Sequence, residues 1–455
     1  MTGQATTEHH GPRAPIDRII RPFQVFANNK LAGAILLLVA TGAALVWANS
    51  SWARSYHALL KMTVTGGVGP FVLSKPLLLW INDGLMGVFF FVVGLEIKRE
   101  LLAGELSTLR QATLPIAAAV GGMVIPALLY HSLNRGGPGA SGWGIPMATD
   151  IAFALGILAL LGDRVPLTLK VFLTAVAIAD DIGAILVIAM FYTESISLVS
   201  LAVGGVLFFV SIAANASGVR NSVVYFLLGT AVWLAFLKSG VHATVAAVLM
   251  AMTIPARTHV RKEEVVDRLS ALLESLRDVG LASGHRMLTL KQQHIVHGME
   301  RLLEDASAPL QRLEHALVAL VTFIVLPVFA LANAGVILGG DLVESYRNPV
   351  CLGIIIGLFA GKQLGILGFS WLAVRTGLAA LPEGATWRQV HGVGVLGGIG
   401  FTMSLFVASL AFPGAAGQQD VAKVGILSAS LVSGLVGVLL LRSGLDVKTA
   451  PREEP

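Results

Sequence analysis

Cysteine is almost missing from this chain: one residue in 455, Cys351. A disulfide or a cysteine-built metal site within one chain is therefore excluded, and Cys351, at the start of an apolar run, reads as a buried packing residue. Charge is scarce too. Asp, Glu, Lys and Arg make up 13% of the residues against 55% hydrophobic, where a soluble globular chain carries about 25% charged; the mean hydropathy is +0.77. Such a chain cannot hide its apolar surface in water. Lipid is its solvent, and in lipid only helices or closed barrels satisfy their own backbone polar groups. The apolar runs, about 17 to 28 residues long, lack strict period-two alternation, which excludes barrel strands and leaves helices. The first thirty residues are polar and basic and hold no apolar stretch followed by a small-residue cleavage site. No secretory signal is expected, and the chain is expected to start inside the cell. The net charge of +5 is not gathered into a basic domain; the cations flank apolar segments, which argues for topology signals and against nucleic acid as a partner.

What is present is a series of twelve apolar segments, at 32–48, 76–97, 111–134, 144–162, 168–192, 196–214, 222–237, 241–254, 313–336, 349–376, 388–412 and 422–441. They are helices 1 to 12 below, and the expected fold class is an all-α integral membrane protein of about 12 transmembrane helices. With both termini cytoplasmic, roughly 24 of the 32 Lys and Arg fall inside and about 7 outside; an odd number of helices spoils that split. The expected organisation is a cytoplasmic N-terminal segment 1–31, helices 1–8 over 32–254, a cytoplasmic charged helical insertion at 255–312, helices 9–12 over 313–441, and a cytoplasmic tail 442–455. Two loops have character of their own. Met62 to Ser74 holds two short β-prone runs around Gly66-Gly67, a hairpin signal expected outside the cell. Within the insertion, Val265, Val266, Leu269, Leu272, Leu273 and Leu276 recur at helical spacing.

Against this apolar background four ionisable residues stand at mid-membrane depth: Asp150 in helix 4, the adjacent Asp180 and Asp181 in helix 5, and Lys362 in helix 10. Each costs about 2.5 to 3.5 kcal/mol even on a lenient scale, so each defaults to a functional role with a named partner. Adjacent helical positions point about 100° apart. One of Asp180 and Asp181 is therefore expected to meet Lys362 while the other faces a water-filled cavity. Buried opposite charges also serve simply as glue between helices, but three carboxylates against one lysine leave a surplus negative charge. A proton or a cation answers that surplus. A hard monovalent cation takes oxygen ligands, which the carboxylates, the Thr149 hydroxyl and nearby carbonyls supply. Burial penalises the charged form of carboxylate and ammonium alike, so such groups exchange protons near neutral pH. Proton and cation then compete for one site, and a site open to either side in turn exchanges one for the other.

Transporter sites are built where helices are interrupted at the midplane, with glycine or proline marking the breaks in corresponding helices. Helix 4 carries Pro146 beside Thr149 and Asp150. Helix 11 contains Gly392, Gly394, Gly397, Gly398 and Gly400, which equally suit close helix packing.

The runs Ala148-Thr149-Asp150-Ile151-Ala152-Phe153-Ala154, Asp180-Asp181 and Gly361-Lys362 resemble the NhaA-type sodium/proton antiporters. So do Asn82-Asp83-Gly84-Leu85-Met86, Val93-Gly94-Leu95-Glu96-Ile97-Lys98-Arg99-Glu100, Gly240-Val241-His242-Ala243-Thr244 and Gly397-Gly398-Ile399-Gly400-Phe401-Thr402-Met403, so that the likeness runs nearly the full chain. The resemblance implies inverted repeats, helices 3–5 and 10–12, with helices 4 and 11 discontinuous and crossing at the midplane. It implies that Asp180 and Asp181 transiently hold the Na+ or Li+ ion and the protons, that Asp150 balances positive helix ends and Lys362 negative ones, and that Lys362 pairs with Asp180 in the proton-loaded state. It further implies electrogenic exchange at the bacterial inner membrane, activated at alkaline pH, with roles in pH and sodium homeostasis and no cofactor. The pH response falls by motif on Glu96, Arg99 and Glu100 at the end of helix 2, on Glu314 entering helix 9 and on His242. The external hairpin near 62–74 resembles the family's homodimer contact. Two features depart from the pattern: the long insertion before helix 9, and Ala316-Leu317 after Glu314-His315, where relatives carry His-Pro-Trp.

Two other classes fit part of the pattern. An intramembrane aspartyl protease also needs two carboxylates sharing a proton, but no Gly-x-Gly-Asp run is present and a buried lysine has no part in that chemistry. A cation channel also lines its pore with carboxylates, yet it needs neither broken helices nor coupling to protons.

Overall fold

The computed structural model describes residues 31–445 apart from 69–70, 163–164, 194–195, 259–261, 280–287 and 338–341. The expected N-terminal segment up to residue 30 and the tail from 446 lie outside the described residues. Among the described residues nine helices are long and apolar enough to cross a membrane, and two bent pairs raise this to eleven. The twelfth element is Ala243–Thr253, helix 8, whose eleven residues extend about 16 Å at the helical rise. It is the shortest of the twelve, and it sits among neighbours: Ala243, Thr244, Ala246, Ala247, Met250, Ala251 and Thr253 are all buried.

Helix ends coincide with residues that satisfy free backbone groups. Ser197, Asn221 and Asn348 accept from the N–H groups of Ser200, Val223 and Val350, and Thr386 with Gln389 forms a capping box at the start of helix 11. Gly240, at φ +85°, ends helix 7 in a left-handed turn that a side chain adopts poorly. Helix 1, Ala32–Ala48, breaks into Ala53–Lys61 through a bend of 110°, which lays the second piece across the bundle end.

The expected hairpin forms, with strands Thr63–Val68 and Phe71–Pro76 paired antiparallel. Its turn is not at the glycine pair. Gly66 and Gly67 lie inside the first strand opposite Leu73 and Val72, and the pairing continues to Val68 opposite Phe71, with 69–70 outside the described residues. The hairpin is fastened to helix 2 (Leu77–Ala103) by the Lys75–Asp83 ion pair at 2.9 Å and by Trp80 Nε1 donating to the Val64 carbonyl. The insertion is a pair of helices, Lys262–Asp278 and Leu290–Ala306, in contact where Gly298 faces Leu272.

Helices 3 (Leu109–Asn134) and 10 (Pro349–Arg375) cross with backbones touching. A Cβ on Gly365 would lie 2.0 Å from the Gly121 carbonyl oxygen, and one on Gly121 would lie 2.2 Å from that of Gly365. Gly365→Ala is therefore expected to force the pair apart at a cost of about 1 to 3 kcal/mol. Gly368→Ala, at a position with open space on the same helix, should leave the detergent melting temperature unchanged; equal melting of the two variants would contradict the close crossing.

Helices 4 and 11 are the discontinuous pair. Helix 4 is a 3-10 segment, Ala140–Met147, then extended residues 148–150, then the α-helix Ile151–Leu160. Helix 11 is Trp387–Leu396, an interruption at 397–400, and Phe401–Ala411, with a bend of 47°. Alternating spans seven positions apart start from opposite faces, so helices 3–5 and 10–12 run in inverted sense. Three helices also carry a π-helical turn invisible to apolar periodicity: 81–85 in helix 2, 321–325 in helix 9 and 356–361 in helix 10.

Candidate functional site

Where helices 4 and 11 cross, their interruptions are bonded to each other. The backbone N–H of Asp150 donates to the Ile399 carbonyl at 2.7 Å, and the Ser404 hydroxyl reaches back to the Ile145 carbonyl at 2.9 Å. Glycine is needed here for space: a Cβ on Gly398 would meet the Leu358 carbonyl oxygen at 2.4 Å, and one on Gly400 the Ser404 hydroxyl at 2.1 Å. The glycines thus serve the break and close packing together.

Asp150 caps two helices at once. One carboxylate oxygen accepts from Phe153 N at 3.0 Å at the start of the second half of helix 4. The other accepts from Thr402 N at 3.1 Å and from the Thr402 hydroxyl, at the start of the second half of helix 11. Two helix N-termini, each with partial positive charge, converge on one anion. Thr402 stood in a motif already singled out but without a role; a threonine one residue inside a helix start that follows a glycine break is the signal that marks it.

Asp180 and Asp181 are each 1% exposed, and Lys362 is fully buried. The Lys362 ammonium donates to Asp180 Oδ2. Thr149 Oγ1 lies 2.7 Å from the same oxygen and 2.9 Å from the Gly397 carbonyl; its single proton serves one of these acceptors at a time. Asp180 Oδ1 and Asp181 Oδ2 have no hydrogen-bond partner. Of the two neighbours on helix 5 (Leu167–Phe191), Asp180 is thus the one that meets the lysine. Asp181 does not line the large cavity that opens beside helix 5. A cavity of about 1590 Å³, lined by helices 1, 2, 4, 5 and 9, enters from the end that bears Arg99, Glu100 and Glu314. It reaches Ala175 on helix 5, six residues and about 9 Å short of Asp181. Lys362 stands directly after the π-turn 356–361, a feature often found at functional positions.

At the cavity mouth Arg99 joins helix 2 to helix 9, with 2.9 Å contacts to both Glu100 and Glu314. Glu96 lies one turn deeper on the same helix. His242 is elsewhere: it precedes helix 8 at the opposite end, its ring 6.1 Å from that of Phe406. Lys98 closes the far end of helix 8, donating to the Met252 carbonyl at 2.6 Å and to that of Ile254. Lys98 and Asn82 stood in runs already quoted but without a role, and nothing in the sequence marked Asn333, whose Nδ2 lies 2.8 Å from Asn82 Oδ1 in a buried pair.

The arrangement sets two carboxylates against one ammonium, with one oxygen of each carboxylate free of hydrogen bonds and chemically able to take a proton or a hard cation. Comparison with known proteins identifies the relatives of this chain. The profile of the family described as Na+/H+ antiporter 1 matches residues 24–441. The Na(+)/H(+) antiporter NhaA of Oleidesulfovibrio alaskensis is 53% identical over 428 residues, 94% of this chain and 95% of that one. That of Koribacter versatilis is 49% identical over 441 residues, 96% and 95% of the two chains, and that of Acidithiobacillus ferrooxidans 49% over 426 residues, 93% and 97%. Such mutual coverage means that these relatives are nearly as long as this chain, which leaves little room for the segment before helix 9 to be peculiar to it.

Proposed function

This chain belongs to the Na+/H+ antiporter 1 family, a transporter that exchanges sodium ions for protons and not an enzyme, and from that premise we propose that the exchange occurs at Asp180 and Asp181 with Lys362 as the built-in rival of the sodium ion. The observation that carries the reading is the unpartnered Asp181 oxygen beside the Asp180–Lys362 pair. In the arrangement described, the pair is neutral and Asp181 is compensated by a proton. A sodium ion entering between the two carboxylates displaces the Lys362 ammonium and the Asp181 proton. The freed ammonium, buried with no other counter-ion, gives up its proton as well. One sodium ion thereby expels two protons, and the loaded site carries one more negative charge than the proton-loaded one. The exchange is electrogenic on this account. Lithium, a hard cation of the same charge, takes the same oxygen ligands. Thr149 follows the change with its hydroxyl, free to turn from Asp180 to the Gly397 carbonyl.

Asp150 holds the crossing together and takes no part in the exchange itself. Arg99, Glu100, Glu314 and the deeper Glu96 line the route by which cytoplasmic protons arrive, and their mutual bonds set the pH at which the mouth opens toward alkaline activity. The distribution of Lys and Arg puts both termini and the paired helices of 262–306 on the cytoplasmic side of a bacterial inner membrane. Each strand of the external hairpin keeps one edge unpaired, so that a second copy joining there completes a four-stranded sheet and a homodimer.

Direct competition fixes the pH dependence of sodium affinity. As pH falls into the range where the site is protonated, the apparent KM for sodium is expected to rise about tenfold per pH unit if one proton competes and about a hundredfold if two do. Initial rates of sodium-driven proton movement in proteoliposomes over a pH series measure that slope. A KM independent of pH would sink the shared-site reading.

A further inference from the structure

Lys362 and its neighbour Gln363 divide helix 10 between two partners. Lys362 turns to helix 5 and Asp180. Gln363, one residue and about 100° around the helix, turns to the first half of the broken helix 11, where its Oε1 lies 3.2 Å from His391 Nε2. The backbones approach at the same level. A Cβ on Gly394 would stand 3.9 Å from the Gln363 Cα and 3.5 Å from the Ile366 side chain, and one on Gly397 would stand 2.8 Å from Ile366. At Gly394 and Gly397 this contact is glycine against the apolar Ile366 side chain. A polar tie sets the register where apolar contact does not, because breaking this part-buried one leaves a partly desolvated donor and acceptor. The glutamine sits two residues beyond the π-turn 356–361, which gives helix 10 a place where register can change.

We propose that His391, through Gln363, is the positioning residue that holds the Lys362 ammonium on Asp180 while the first half of helix 11 is in the position described here. The proposal rests on the reading in which sodium must displace Lys362 from Asp180. The His391 Nε2–H donates to Gln363 Oε1 and fixes helix 10 just below the lysine. Movement of the half-helix pulls that turn and loosens the lysine, so the carboxylates are released to sodium when helix 11 shifts and are reclaimed when it returns. Neither His391 nor Gln363 touches the ion.

The consequence is a particular kinetic signature. His391→Leu removes the donor, weakens the hold of Lys362, and is expected to lower the apparent KM for sodium by about threefold to tenfold, the weight of one neutral hydrogen bond. It should also lower kcat by a similar factor, because the lysine reclaims Asp180 less readily in each cycle. A variant that merely folded poorly would lose rate with KM unchanged. His391→Gln keeps an N–H donor and should restore both constants toward wild type. Gln363→Met removes the acceptor from the other side and should reproduce the His391→Leu values, and the double variant should be no worse than either single one. The measurement is sodium-dependent proton flux in proteoliposomes at fixed alkaline pH, normalised to folded protein by size-exclusion chromatography, with Asp181→Asn alongside. Unchanged KM in both single variants, or a fall in kcat alone that His391→Gln fails to rescue, overturns the proposal. If Asp181→Asn transports like wild type, the underlying site assignment fails instead, and the two failures are told apart in one experiment.

Discussion

Asp181→Asn abolishes sodium-dependent proton flux and leaves the protein folded. The carboxylate and the amide have nearly the same shape, and Asp181 is buried with one oxygen making no hydrogen bond, so the exchange of side chains removes no bond at that oxygen. What it removes is the negative charge that the sodium ion and the proton share. A neutral amide oxygen is a weak ligand, and it cannot take up a proton that a sodium ion would displace. Rates in proteoliposomes with an acidic interior are expected to fall at least about a hundredfold, equivalent to about 2.7 kcal/mol or more, for sodium and lithium alike, with a detergent melting temperature at or above that of wild type. Flux within tenfold of wild type would remove Asp181 from the transport site.

Lys362→Met acts in the opposite direction, on stability first. Methionine fills much the same volume but leaves Asp180 and Asp181 side by side with no ammonium. Breaking a buried pair from one side costs about 3 to 5 kcal/mol, because the remaining charge stays buried. That charge has two ways of being answered, by a proton or by a cation, and each supplies a test. The variant must take up a proton to fold where the unfolded chain carries an ionised aspartate, so its deficit against wild type should be largest at alkaline pH and shrink as pH falls. Sodium should also raise its melting temperature more than it raises that of wild type, since no lysine has to be displaced and binding to the folded state stabilises by mass action. A deficit independent of pH and of sodium would show that Lys362 is a packing residue and not the rival of the ion.

Much of this site was legible before any coordinates, and for a definite reason. In a chain with 13% charged residues, a charge in the middle of an apolar run can be picked out by eye, and Asp150, Asp180, Asp181 and Lys362 were found in that way. Which aspartate meets the lysine was not legible, because two adjacent residues differ by 100° of helix rotation and only the neighbouring helices decide which one points where. The helix 4 and 11 breaks were signalled by Pro146 and by the glycines, but not the bonds between them: Asp150 and Thr402 are 252 positions apart, and nothing in either segment names the other. Among the groups assigned to pH response, Arg99, Glu100 and Glu314 came together, while His242 lay at the far end of helix 8; a motif carries no depth coordinate. The hairpin turn was placed at Gly66-Gly67 because glycine usually marks a turn, whereas here both glycines are in a strand. The π-turns left no trace, since one extra residue in a helix of uniformly apolar side chains does not alter its composition.

The backbone bond from Asp150 to the Ile399 carbonyl also bears on how such a chain can vary over time. Side-chain contacts tolerate substitution by repacking, but a bond between two main chains, flanked by the Ser404–Ile145 and Thr149–Gly397 contacts, depends on how many residues each segment contains. Gaining or losing one residue at 148–150 or at 397–400 would rotate every following side chain by about 100° and carry Asp150 or Thr402 away from its partner. A change of length at these two places is therefore expected to cost more than a change of identity, whereas connections outside the crossing, such as the one that carries the paired helices before helix 9, can change length without moving these partners apart.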